Sequence, residues 1–131
     1  VLIRIEKMKL GLFGGSFDPV HLGHLLVAQA AMEELGLDRL YFIPAAQSPF
    51  KPESQPSPPT DRVRLLRLAL AGKHNCEIDE QEVRRGGISY TVDTLRDYAR
   101  RFPQAELFYL VGVRRVNWHG SQYSSPSRDP F

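Results

Sequence analysis

The sequence predicts an α/β fold, a mainly parallel sheet with helices on both faces, from three observations. Short apolar runs alternate with stretches of helical periodicity. Two of these runs, residues 40–43 and 107–111, are compact rather than alternating polar and apolar, as strands of a doubly covered sheet are. Glycines stand where the periodic stretches stop. That alternation builds βαβ units, which give parallel sheets in three layers.

The elements follow in order. Residues 9–13 (Lys-Leu-Gly-Leu-Phe) read as a strand feeding a Gly14-Gly15 turn. Residues 22–35 read as a helix, with Leu22, Leu25, Ala28, Met32 and Leu35 on one face. Gly36 stops it and Leu37 supplies the apolar contact of a Schellman-type ending. Residues 40–43 form a buried strand closed by Pro44. Six of the ten prolines then fall in residues 44–59, a density neither helix nor sheet interior accepts. Such a stretch is a lid, a binding loop or disordered.

Thr60 is placed to cap a helix over residues 61–71, with Val63, Leu66 and Leu70 buried and Gly72 as its stop. Residues 76–83 read as strand, anchored by Ile78 and Val83, and Gly86-Gly87 as a turn. Thr91 is a candidate cap for a third helix, with Val92, Leu95, Ala99 and Phe102 on one face. Residues 107–111 are uninterrupted apolar and read as a central strand buried on both faces.

Composition bounds the function without naming it. The 131 residues suit one domain. Apolar residues make up 42% and charged residues 24%, which excludes collagen-like, coiled-coil and wholly disordered classes. Seventeen basic against fifteen acidic residues leave +2, too little for a duplex DNA footprint or a polybasic membrane anchor. No nucleic-acid or membrane partner is expected. The single cysteine, Cys76, fits a reducing, cytoplasmic setting. No apolar run approaches the ~20 residues of a membrane span. The oligomeric state cannot be read from this sequence.

The chemistry concentrates in Gly14-Gly15-Ser16-Phe17-Asp18-Pro19-Val20-His21-Leu22-Gly23-His24, between the first strand and the first helix. Glycines let backbone approach a ligand without a Cβ in the way. The helix start offers unpaired N–H groups and the positive end of its dipole, which suit an anion. His21 and His24, three apart, can face one side there. Gly23 removes bulk where a ring or a phosphate could lie. His-x-x-His could also be half a zinc site, but structural zinc takes about four ligands and no others stand nearby in sequence. Asp18 has two readings, since Asp-Pro is also ordinary turn chemistry.

This string resembles the phosphate-binding signature of the nucleotidylyltransferase superfamily, which carries His-x-Gly-His or Thr-x-Gly-His. Within it the sequence is most similar to the bacterial nicotinate-nucleotide adenylyltransferases. Ile43-Pro44 with Ser48-Pro49-Phe50-Lys51 resembles that family's Pro-rich loop. Gly87-Ile88-Ser89-Tyr90-Thr91-Val92-Asp93-Thr94-Leu95 resembles its Ser-Tyr-Thr-x-Asp-Thr-Leu segment, and residues 107–112 its fourth strand.

The resemblance implies a Rossmann-like domain over residues 8–112. It implies that nicotinate mononucleotide attacks the α-phosphate of ATP, giving deamido-NAD and pyrophosphate, with Mg²⁺ as cofactor and no covalent intermediate. His21 and His24 would be the catalytic pair on the ATP phosphates. Gly14, Gly15, Ser16, Phe17 and Gly23 would line the ATP site with them. Lys51 would reach phosphate. Ser89, Tyr90 and Thr91 would face the nicotinate ring and its carboxylate. The residues agree in one respect: no nucleophile stands beside a base, and phosphoryl-type transfer asks mainly for positioning and charge neutralisation.

Two departures stand out. Where the family carries Asp two residues after its glycine, this chain reads Gly112-Val113-Arg114. The family's further helix, strand and Ser/Thr-rich segment ending in Arg have no counterpart. Residues 113–131 are therefore expected to be a divergent, disordered tail after a truncation or frameshift, and residues 1–7 an extension ahead of Met8. An inactive nucleotide-binding remnant is the competing expectation. Pantetheine-phosphate and glycerol-phosphate transferases share the histidine logic, but Ser89-Tyr90-Thr91 argues against them. A class I aminoacyl-tRNA synthetase fragment is disfavoured by chain length and by the Gly-Gly-Ser-Phe-Asp-Pro run.

Overall fold

The structure is a computed structural model that describes Leu2, residues 7–46 and residues 56–111. Its elements run β1 (Lys9–Gly15), α1 (Leu22–Leu35), β2 (Arg39–Pro44), α2 (Pro59–Ala69), β3 (Cys76–Ile78), α3 (Gln81–Arg85), α4 (Thr91–Arg101) and β4 (Glu106–Val111). The four strands form one sheet in the order β3-β2-β1-β4, and every pairing is parallel. The chain crosses from one side of β1 to the other between β3 and β4. That reversal opens a crevice beyond the carboxyl ends of β1 and β4, the usual ligand position in such sheets.

Side-chain alternation along the strands splits the core in two. Phe13, Leu40 and Phe42 join Ala28 of α1 and Leu66 of α2 on one face. Leu12 and Ile43 meet Tyr98 of α4 on the other, with Tyr41, Leu95, Phe102, Leu107 and Tyr109 packed around them. The three-layer arrangement expected from the sequence is therefore present.

Local expectations fared unevenly. Helix α1 has the expected bounds, and its ending is the expected one: Gly36 at φ 64° and Leu37 N–H bonded back to the Met32 carbonyl at 3.1 Å. Leu22 is corrected: it is 68% exposed at the first position of α1, a helix whose one buried residue, Ala28, lies nearly two turns further on. Gly14-Gly15 is strand rather than turn, since pairing with β2 continues through Gly15↔Pro44. The cap before α2 is Pro58, with Pro59 fixing the first helical φ, so Thr60 lies inside the helix.

Strand β3 stops at Ile78, and Val83 belongs to the short helix α3 instead. In α4 the cap position is Tyr90 and Thr91 is the first helical residue, without a side-chain cap bond. Its buried face is Thr94 and Tyr98 with Leu95 and Phe102, while Val92 is half exposed and Ala99 exposed. A Tyr at position 98 meets Tyr41 at 5.3 Å between ring centroids, which pulls that face toward β2. Strand β4 is half-buried at the edge of the described sheet rather than central.

Candidate active site

The β1–α1 junction is built around a helix start made of two histidines. His21 is the N-cap of α1 and its Nδ1 accepts the Gly23 N–H at 3.1 Å. His24, at the third helical position, accepts the His21 N–H on its own Nδ1 at 3.1 Å. This is a capping box in which both acceptors are imidazoles. The rings stack with centroids 3.9 Å apart and planes 26° apart. With both Nδ1 atoms accepting, each neutral ring carries its proton on Nε2 and presents it as a donor on the far side. Burial, and then the neighbouring His21, push the His24 pKa down to about 4. His24 is thus a neutral donor at physiological pH.

Gly23 has a local task in the fold. A Cβ there would stand 2.9 Å from His21 Cε1 and 3.0 Å from its Nδ1, so the missing side chain is what lets the His21 ring fold over the helix start. Gly14 answers to another neighbour: a Cβ would lie 2.1 Å from the Tyr109 hydroxyl of β4. Tyr109 in turn accepts from the Thr91 hydroxyl at 3.3 Å, linking the glycine segment to the start of α4.

Phe17 occupies φ 47°, a region costly for a bulky residue. Its ring is 2% exposed and packs 5.4 Å from Phe13 and 5.5 Å from Phe42. Burying such a ring is worth roughly 1.5–3 kcal/mol, the same size as the ~1–3 kcal/mol cost of a strained backbone. The same ring meets the His24 ring edge-on at 4.9 Å and so supports it from beneath. Of Phe17, then, only the backbone is available to a ligand.

Asp18 shapes the loop. Its Oδ2 accepts the Ser57 N–H at 2.9 Å, and that bond is the main reason its pKa is held low. Ser89 is buried and its hydroxyl accepts the Ala46 N–H at 3.1 Å, while the buried Glu82 takes the Thr94 hydroxyl. Tyr90 and Thr91 are exposed beside it. The structure thus joins Gly14, Gly15, Ser16, Phe17, His21, Gly23 and His24 in one junction, and links Thr91 to it through Tyr109. Ser89 spends its hydroxyl internally. Lys51, Gly112 and the whole of 113–131 lie outside the described residues.

Sequence reasoning missed Arg62, Glu82 and Tyr109. Arg62 shares helical spacing with Leu66 and Leu70, a signal that could have marked it as inward-facing. Glu82 and Tyr109 leave no comparable pattern. A hollow of about 350 Å³ between α1 and the turn before β3, lined by Leu25, Met32, Phe42 and Lys73 among others, takes no residue from the β1–α1 junction.

Comparison with known proteins places this junction in a lineage. The cytidylyltransferase-like family profile matches residues 12–120. The chain belongs to the cytidylyltransferase-like family. Among its relatives in that family, a protein of Opitutus terrae named "probable nicotinate-nucleotide adenylyltransferase" is 50% identical over 105 residues, covering 80% of this chain and 54% of the relative. Proteins of the same name from Gemmatimonas aurantiaca and Thermus thermophilus are 52% identical over 116 residues and 50% over 106. They are covered to 54% and 56% of their length, against 86% and 81% of this chain. The chain thus spans about half the length of the curated relatives it matches.

In fold, this cytidylyltransferase-like chain matches the Plasmodium falciparum nicotinic acid mononucleotide adenylyltransferase solved with NaAD. The TM-score is 0.68 at 14% identity, over 78% of this chain and 50% of that one. No helix of the described residues is long and apolar enough to cross a membrane.

Proposed function

We propose that this chain carries the nucleotide site of a nicotinate-nucleotide adenylyltransferase, joining ATP and nicotinate mononucleotide into deamido-NAD and pyrophosphate. The observation that carries the reading is the histidine capping box. It sets two Nε2–H donors side by side at the amino end of a helix, beyond the carboxyl end of β1.

In the reaction, a 5′-phosphate oxygen of the mononucleotide forms a bond to the α-phosphorus of ATP. The bond from that phosphorus to the bridging oxygen breaks, and pyrophosphate leaves with the electron pair. The protein's work is to hold the two phosphates in line and to meet the charge that shifts onto the leaving group. His21 and His24 donate to the ATP phosphates through Nε2, and the backbone at Gly14 to Phe17 lines the nucleotide. Lys51 adds a positive charge. Tyr90 and Thr91 border the acceptor, with Ser89 holding their turn in place.

Among the described residues no three His, Cys, Asp or Glu side chains gather as a metal site. Mg²⁺ would enter with ATP and neutralise phosphate charge, a common way for this ion to reach phosphoryl-transfer sites. The test is pyrophosphate release with ATP, Mg²⁺ and nicotinate mononucleotide, set against pantetheine phosphate and glycerol phosphate as acceptors. Release with the nicotinate acceptor alone is expected. ATP binding without release would turn the reading into an inactive nucleotide-binding remnant, and release with another acceptor would move the substrate assignment.

A further inference from the structure

The strongest unassigned feature is Arg62, which is 1% exposed at the start of α2. Its guanidinium binds three carbonyls from three segments. Nη1 donates to Ser16 at 2.7 Å and to Ala45 at 2.8 Å, and Nε donates to Ser57 at 2.9 Å. Nη2 is buried with no partner among the described residues. Burial opposes its charge and the nearby Asp18 supports it. A surface salt bridge or a simple packing role does not call for such a fork. The planar donor set of Arg is what reaches several carbonyls at once.

The consequence runs through peptide geometry. Among the described residues the only cis bond is Asp18–Pro19, so the Ser16–Phe17 peptide is trans and its carbonyl and N–H point in opposite directions. Drawing the Ser16 carbonyl inward onto Arg62 therefore turns the Phe17 N–H away from α2. The same logic is visible one strand over: the Ala45 carbonyl faces Arg62, and the Ala46 N–H points elsewhere, to Ser89. The Phe17 N–H has no partner among the described residues. The Phe17 ring meets the His24 ring at 4.9 Å between centroids, so Phe17 is the loop residue packed against the histidine pair.

We propose that Arg62 is a positioning residue for the nucleotide site: it fixes the Ser16–Phe17 peptide so that the Phe17 N–H is presented to an ATP phosphate next to His24. The inference rests on the nucleotide reading given above. It adds a group that never touches the substrate and acts only through a carbonyl.

The test uses the full chain labelled with ¹⁵N. ATP is titrated while the Phe17 amide is followed, in the parent, Arg62→Met and Arg62→Lys. The parent should bind ATP with a marked downfield shift of the Phe17 amide proton. Arg62→Met should bind about tenfold more weakly, the order of one lost net hydrogen bond, and its Phe17 amide should no longer respond. Arg62→Lys keeps the charge and reaches at most part of the carbonyl set. It should fall between the two, and it carries the test alone if Arg62→Met does not fold. A folded Arg62→Met or Arg62→Lys with parental affinity and parental Phe17 response would overturn the role of Arg62 and leave the nucleotide reading intact. A parent with no response to ATP at any residue of the β1–α1 junction would overturn both.

Discussion

His21 and His24 hold each other in place through the backbone of a single helical turn. The side chain of His21 takes the Gly23 N–H, the side chain of His24 takes the His21 N–H, and both bonds measure 3.1 Å. The outcome is two stacked rings whose outward nitrogens both carry protons, with the tautomers fixed by the helix cap and not by any acid nearby. Capping uses Nδ1, and the proposed phosphate contact would use Nε2, so the two roles can be separated by substitution.

That separation can be made with His24→Gln. Glutamine at the third helical position can still accept the N-cap N–H through its side-chain oxygen. The variant should melt close to the parent while turnover falls by roughly 10²–10³, the usual loss for one electrostatic stabiliser. His24→Ala should lose turnover similarly and also about 1 kcal/mol of stability from the cap. Thermal melts and pyrophosphate release measured on both variants check this. Parental turnover in His24→Gln would remove the imidazole from the mechanism.

The lowered pKa of His24 has a stability signature. Above its ordinary value of 6.5 the ring is neutral in folded and unfolded chains alike. As pH falls from there toward about 4, the unfolded chain takes up the proton and the folded chain does not, so folded stability declines across that window. Below it both states are charged and the decline stops. The Tm of His24→Gln should fall less steeply than that of the parent over the same interval. Parallel curves would show that His24 does not titrate as its surroundings dictate.

Gly14 and Tyr109 make a coupled pair across β1 and β4. Gly14→Ala would bring a Cβ to 2.1 Å from the Tyr109 hydroxyl and 3.0 Å from its ring carbon, so it should cost about 1–3 kcal/mol as overpacking. Removing that hydroxyl in Tyr109→Phe should give part of this back in the double variant. A double-mutant cycle by chemical denaturation should show a coupling of at least ~0.5 kcal/mol. Simple additivity would mean that the close approach is relieved by moving the strands apart.

Glu82 carries the opposite pH signature. Burial raises its pKa, and the Thr94 and Ser89 hydroxyls with the Arg85 charge only partly oppose this. The folded chain keeps the Glu82 proton to higher pH than the unfolded chain. Its contribution is full below the ordinary value of 4.5 and is lost as pH rises through the folded pKa. Relative to the parent, Glu82→Gln should gain in Tm as pH is raised from 4.5 toward neutrality. A constant difference between the two melting curves would mean that Glu82 is already charged in the fold.

The layers of the molecule were legible because they follow from periodicity. Helix α1 reads from Leu25, Ala28, Met32 and Leu35, and its stop from Gly36-Leu37, all local in the chain. The histidines were legible as a pair for the same reason, since three residues on a helix bring two side chains together. What failed was whatever a distant residue decided. Gly14-Gly15 looks like a turn until β2 continues beside it. The buried face of α4 moved from Val92 and Ala99 to Thr94 and Tyr98 because Tyr41 and Glu82 wait there. The Ala46 N–H that Ser89 accepts comes from 43 positions away, so the burial of Ser89 could not be read from its neighbours in sequence.

By itself, then, the sequence determined the α/β alternation, the parallel sheet and the residues at the β1–α1 junction, because apolar spacing and glycine stops act over a few residues. The tertiary structure alone decided how those residues are held. Arg62 and Ser16 are 46 positions apart, and only a closed sheet brings a guanidinium of α2 to a carbonyl of the loop after β1. Which nitrogen of each imidazole faces outward was likewise decided by hydrogen-bond geometry, which no pattern of residue types encodes.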